Sequence, residues 1–164
     1  MQDFINQVEA FWQPYLISQI ASVIILLVSF WHTRIARGIF SLLFLWASLT
    51  NLYTIFTSPD SYLEYANLAI PLYRDFIEGW FSHNHQIIVP LIACGQFIIG
   101  LGMLLKNPWL KWACVGAIIF LLSIAPLMVG SAFPFSITVS IAAWLVLRND
   151  KGNFLWKSVK PDTN

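Results

Sequence analysis

Five apolar runs, at residues 14–31, 35–57, 87–105, 112–129 and 133–147, are separated by polar joints, and positive charge gathers on alternate joints. At a 1.5 Å rise, about 20 helical residues cross a hydrocarbon core roughly 30 Å thick. The first four runs meet that requirement. The run 133–147 is short, and reaches it by borrowing Ser131 and Ala132 or by sitting where the bilayer thins. The expected fold is an all-α integral membrane protein, a bundle of five transmembrane helices. Four crossings with a shallow terminal hairpin is the alternative.

The joints give the bundle a direction. Arg34 and Arg37 stand at the junction of the first two runs, Lys106 and Lys111 between the third and fourth, and Arg148, Lys151, Lys157 and Lys160 at or after the end of the fifth. Of nine basic residues only Arg74 falls on the other side, in a loop with Asp60, Glu64, Asp75 and Glu78. Loops rich in Lys and Arg stay cytoplasmic, so the N-terminus is expected outside and the C-terminus inside. Charged residues make up 10% of the chain and mean hydropathy is +0.69, against roughly a quarter charged in soluble proteins. The expected partner is the lipid bilayer. A net charge of +1 lacks the concentrated basic face that nucleic acid requires. The first run has Asp3 and Glu9 before it and Phe30-Trp31-His32 after it; signal peptides have a basic flank and a small-residue exit, so it reads as a retained helix.

The outer interval 58–86 is patterned. Ser58-Pro59-Asp60 reads as a helix start with Ser58 as N-cap, and Pro71 restarts the pattern. Two short amphipathic interfacial helices are expected, ended by Gly79 and the polar residues 82–86. Trp31, Trp80, Trp109, Trp112 and Trp156 mark interfaces, whereas Trp46 and Trp144 lie deeper and read as packing residues. Pro126 should kink the fourth run or end it early, and Gly100-Leu101-Gly102 suits close helix packing. Cys94 and Cys114 lie at depths on the order of 10 Å apart, too far for a disulfide.

Function at membrane depth is sought among polar side chains, because ionisable ones there are functional by default. Every Asp, Glu and Lys falls at an end or in a loop. Arg37 stands one turn inside the second run, from where its stem can snorkel to the cytoplasmic face. The candidate ligand-binding residues are Gln19, Asn51, Gln96 and Ser123, from four runs and at similar depth; Ser48, Thr50, Ser136 and Ser140 can join them. Two readings stay open, interhelical hydrogen bonding or an outward-facing polar pocket for a small molecule or lipid. His83 and His85 are the only metal candidates, with Glu78 as third ligand, and they read as solvated residues. No catalytic motif occurs.

Arg37-Gly38, the stretch from Phe44-Leu45-Trp46-Ala47-Ser48 to Asn51, Ser58-Pro59-Asp60, the residues from Pro90 to Leu105, and Pro126 with Gly130 follow one another in a familiar arrangement. Over residues 34–148 this resembles the DoxX/DoxD-like family of small bacterial membrane proteins. The resemblance implies a four-helix core with cytoplasmic ends. Residues 1–33 would then be a lead-in with an extra transmembrane helix, and 149–164 a cytoplasmic basic tail. It also implies the bacterial inner (plasma) membrane, and a non-catalytic or accessory subunit of a quinone- or thiol-linked redox complex, with a redox protein as partner and quinone as the only cofactor suggested. Where family members often have Lys or His, this chain has Asn51, and where they have Glu it has Gln96.

Overall fold

A computed structural model describes residues 12–156, and among these every regular element is helical. In chain order the α-helices are α1 (Trp12–Trp31), α2 (Thr33–Thr57), α3 (Pro71–Phe76), α4 (Ser82–Gly102), α5 (Trp109–Ile124) and α6 (Phe135–Asn149). Two 3-10 helices, Pro59–Asn67 and Ala125–Ser131, join α2 to α3 and α5 to α6. A π-helical turn at Ile77–Phe81 fuses α3 to α4, so that Pro71–Gly102 runs as one helical stretch of 32 residues. Four stretches are long and apolar enough to cross a membrane: Trp12–Trp31, Thr33–Thr57, Pro71–Gly102 and Trp109–Ser131. With 15 residues, α6 falls short of that length.

The helices close a ring in the order α1, α2, α4, α5, α6, and α6 returns to pack on α1. Spacing on α2 explains its strongest contact. Arg37, Ser41, Phe44, Ser48 and Ile55 recur at intervals of three, four or seven and are buried on one face. Val89, Ala93, Gln96 and Gly100 repeat the pattern on α4. Close approach of these helices depends on small residues. A Cβ added at Gly100 would stand 2.8 Å from Leu45 Cγ, and one at Gly102 would stand 2.7 Å from Ala113 Cβ. The glycines expected to serve close packing therefore do so, on α2 and α5 respectively. Phe40, Phe44, Met103, Leu110, Val139 and Val146 fill the interior.

The outside of the ring is apolar too, with Leu42, Leu49, Ile98 and Ile119 all exposed. Trp46 and Trp144 belong to this outer surface, at 67% and 45% exposure, and are not the packing residues expected from their depth. When the surroundings are apolar, facing outward carries no penalty, so depth alone does not tell core from periphery.

The joints follow the sequence in part. Pro59 and Pro71 each open a helix. Ser58 makes no side-chain cap; its carbonyl instead accepts the Ser61 amide at 3.1 Å. Gly79 and residues 82–86 do not end the outer segment, because Gly79 lies within the π turn and Ser82 begins α4. α5 ends at Ile124, two residues before Pro126, as a proline there requires. The Pro126 carbonyl then accepts the Ile70 amide at 3.1 Å. Met128 and Ala132, both at φ 52°, turn the chain back toward α6.

Among the described basic residues Arg34, Arg37, Lys106, Lys111, Arg148 and Lys151 gather at one end, and Arg74 stands at the other.

Candidate functional site

Asn51 and Gln96 meet. Asn51 Nδ2 donates to Gln96 Oε1 at 2.7 Å, which joins the C-terminal half of α2 to α4. Tyr62, from the 3-10 helix Pro59–Asn67, donates its hydroxyl to Asn51 Oδ1 at 2.9 Å and lies 3.1 Å from the Asn51 carbonyl. One turn deeper on α2, Ser48 Oγ donates to the Ala93 carbonyl at 2.7 Å. Gln96 is 3% exposed. A buried amide must be bonded, and here the two amides answer each other. Burial of the Tyr62 phenol raises its pKa above the usual 10.0, so it keeps the proton that it donates.

Gln19 and Ser123 are elsewhere. Gln19 Nε2 donates to the Ala132 carbonyl at 2.7 Å, and beside it Tyr15 donates to the Phe133 carbonyl at 2.6 Å. These bonds tie the first turns of α1 to the chain reversal that precedes α6. Ser123 Oγ returns to its own helix, donating to the Phe120 carbonyl at 2.7 Å, while the Ser123 carbonyl accepts Tyr73 Oη at 2.7 Å. The four side chains expected in a common layer thus divide among separate contacts. Of the others, Ser140 Oγ donates to Ser136 O at 2.7 Å within α6, and Thr50 is exposed.

The largest departure from expectation is Arg37. It does not snorkel; it is 2% exposed and turned into the end of the bundle. Its Nε donates to the Met103 carbonyl at 2.9 Å and its Nη2 to the Leu105 carbonyl at 2.7 Å. Nη1 donates to the Asn153 carbonyl at 2.8 Å and to Asp150 Oδ1 at 3.0 Å. The planar fork of Arg suits several acceptors at once. Two of the carbonyls, those of Met103 and Leu105, belong to the turn that follows α4.

Asp150 Oδ1 also accepts the Gly152 amide at 2.7 Å. Beyond it the chain lies across the bundle end as a strap. Asn107 N donates to Gly152 O at 2.9 Å, Leu155 N to Leu104 O at 3.0 Å, and Arg34 Nε to Leu155 O at 2.7 Å. Gly152 has φ 71°, and a Cβ there would collide with the Asn107 side-chain amide, so any other residue at this position is strained. Residues 150–156, expected as the start of a basic tail, are therefore packed against the helices; Lys157 and Lys160 lie outside the described residues. The sequence carries one signal for this arrangement: Arg37 falls on the same α2 face as Phe44 and Ser48.

His83 is exposed, with Nδ1 2.9 Å from the Gly79 carbonyl. His85 is not the solvated residue expected. It is 7% exposed, with Nδ1 2.8 Å from the Ser82 carbonyl. Among the described residues no group of three His, Cys, Asp or Glu side chains could hold a metal ion. Cys94, exposed, and Cys114, buried, are both free thiols.

Neither of two concavities among the described residues is lined by Asn51 or Gln96. One of about 430 Å³ is an apolar groove between α5 and α6, bounded by Ile118, Leu122, Ile141 and Trp144. The other, about 180 Å³, lies at the basic end beside Arg37. No family model, curated protein or solved structure matches the chain.

Proposed function

We propose that this chain is a multi-pass membrane protein of five crossings, basic end in the cytoplasm, that serves as a non-catalytic or accessory subunit. The observation that carries this reading is the direct Asn51–Gln96 bond, completed by Tyr62. The side chains best placed to meet a ligand at depth are committed to one another as interhelical links.

Several features support the finer details. α6 fills the place between α5 and α1, with Val139, Ala142, Ala143 and Val146 fully buried. It is about 22 Å long at 1.5 Å per residue, and a thinned bilayer accommodates it as a crossing. The clustering of six described basic residues at one end supports a cytoplasmic placement of that end. Pro59–Asn67, Pro71–Phe76 and the π turn that follows, with Leu72, Phe76 and Trp80 exposed, suit the outer interface. The resemblance to the DoxX/DoxD-like family supplies the partner class, a quinone- or thiol-linked redox protein of the bacterial inner membrane. That part of the reading rests on the sequence pattern alone.

Single cysteines at Lys106, Lys151 and Asp60, each in a chain with Cys94 and Cys114 replaced by alanine and labelled in intact cells with a membrane-impermeant maleimide, test the topology. Label is expected at position 60 and not at 106 or 151. For the role itself, the N51L/Q96L double substitution should lower thermal stability without changing which lipids or small molecules co-purify. Loss of a specific bound molecule in that variant would establish a pocket instead, and quinol oxidation by the purified chain alone would overturn the non-catalytic reading.

A further inference from the structure

We propose that the basic end of the bundle holds a binding site for a phosphate group, of the kind an anionic phospholipid headgroup or free phosphate supplies. The site is the cavity of about 180 Å³ between the first turn of α2 and the strap, lined by Thr33, Arg34, Arg37, Asp150, Lys151 and Asn153 among others. At about 30 Å³ per water, that volume accepts a phosphate group with its nearest waters.

Charge at the site is unbalanced. Three cationic side chains face one carboxylate, and the carboxylate is already engaged, since Asp150 Oδ1 accepts from both Arg37 and Gly152. Arg34 and Lys151 are left as the excess. Arg34 is held in place by its Nε bond to the Leu155 carbonyl. Among the described residues its two terminal nitrogens and the Lys151 ammonium have no hydrogen-bond partner. A guanidinium fixed through Nε with Nη1 and Nη2 open presents the fork that matches phosphate oxygens. Basic pockets of this kind on the cytoplasmic side take phospholipid headgroups.

The lipid source rests on the cytoplasmic placement proposed above; the anion site itself does not. Purified full-length chain in a neutral maltoside detergent is titrated with short-chain phosphatidylglycerol, phosphatidylcholine of equal chain length, and inorganic phosphate, and the unfolding temperature is followed. Phosphatidylglycerol should raise it saturably and phosphatidylcholine should not. A similar rise with inorganic phosphate establishes the free anion as a sufficient ligand, and its absence assigns the site to the lipid headgroup. In R34Q/K151Q the apparent affinity should fall roughly 30-fold, about fivefold for each basic group removed. K106Q/K111Q carries the same charge change at the same end and should keep the wild-type affinity. Should R34Q/K151Q fail to fold, K151Q alone, at an exposed position, should weaken binding about fivefold. No rise with either anion, or equal weakening by the two double variants, overturns the proposal. Detergent titration does not sense topology, so maleimide labelling that contradicts the orientation would remove the lipid source and leave the anion result intact.

Discussion

Arg37 and Asp150 are 113 positions apart in the chain and meet at 3.0 Å, the guanidinium 2% exposed and the carboxylate 7%. Bringing two charges out of water is offset only where geometry is good and the remaining donors and acceptors are bonded. Both conditions hold. Three backbone carbonyls complete Arg37, and the Gly152 amide adds to Asp150. The start of α2, the turn after α4 and the strap after α6 are fastened at one point.

Removing one partner of this pair should therefore be severe. D150A leaves a buried guanidinium uncompensated and should lower unfolding stability by about 3–5 kcal/mol. R37M/D150L, which removes both charges, should recover part of that loss. Thermal unfolding in detergent, with all variants at equal protein concentration, checks the order. If D150A unfolds like the wild type, the pair does not hold the bundle end.

The Asn51–Gln96 bond calls for a double-mutant cycle. N51L leaves Gln96 buried without its donor, and Q96L leaves Asn51 without its acceptor. Each single change should destabilise more than half of what the double change does, with a coupling of about 0.6–1.7 kcal/mol, the range for interhelical bonds in bilayers. Additive losses would mean that the two amides act independently.

Helix contact at the glycines separates by position. G102A places a methyl 2.7 Å from Ala113 Cβ and should cost about 1–3 kcal/mol through overpacking. A Cβ at Gly95 meets nothing within 4 Å, so G95A should be neutral or stabilise by up to about 1 kcal/mol through helix propensity. Opposite shifts in unfolding temperature are the expected outcome.

Tyr62 provides a pH signature. Its pKa is raised in the folded chain, chiefly by burial, so the folded state holds this proton more tightly than the unfolded state does. The contribution is complete below pH 10 and is lost as pH climbs through the folded value. Y62F should remove one hydrogen bond, worth about 1 kcal/mol, and should flatten the decline above pH 10. Unfolding midpoints measured from pH 8 to 11.5 for both proteins decide this.

Much of the fold was legible because it depends on local properties. Run length and joint charge located the helices, Pro59 and Pro71 marked helix starts, and Pro126 marked an ending. Gly100 and Gly102 announced close contact. What escaped was set by partners distant in sequence. Arg37 reads as a snorkelling residue until Asp150 and the strap are placed beside it. Trp46 and Trp144 read as packing residues, because apolar surroundings erase the amphipathic contrast that separates an inner from an outer face. Residues 82–86 look like a loop, yet they continue a helix that extends past the end of α2 to lie against Pro59–Asn67. The candidate layer was half legible: Asn51 and Gln96 pair, whereas the partners of Gln19 and Ser123 are main-chain atoms, which leave no mark in a sequence pattern.

Biosynthesis must reckon with the separation of Arg37 from its counter-ion. When α2 leaves the ribosome, neither the Leu105 and Met103 carbonyls nor Asp150 has yet been made. Until they are, the guanidinium has none of the partners that hold it in the finished fold. Closure of this end is thus a late event in assembly, delayed until the last described helix and its following residues have emerged.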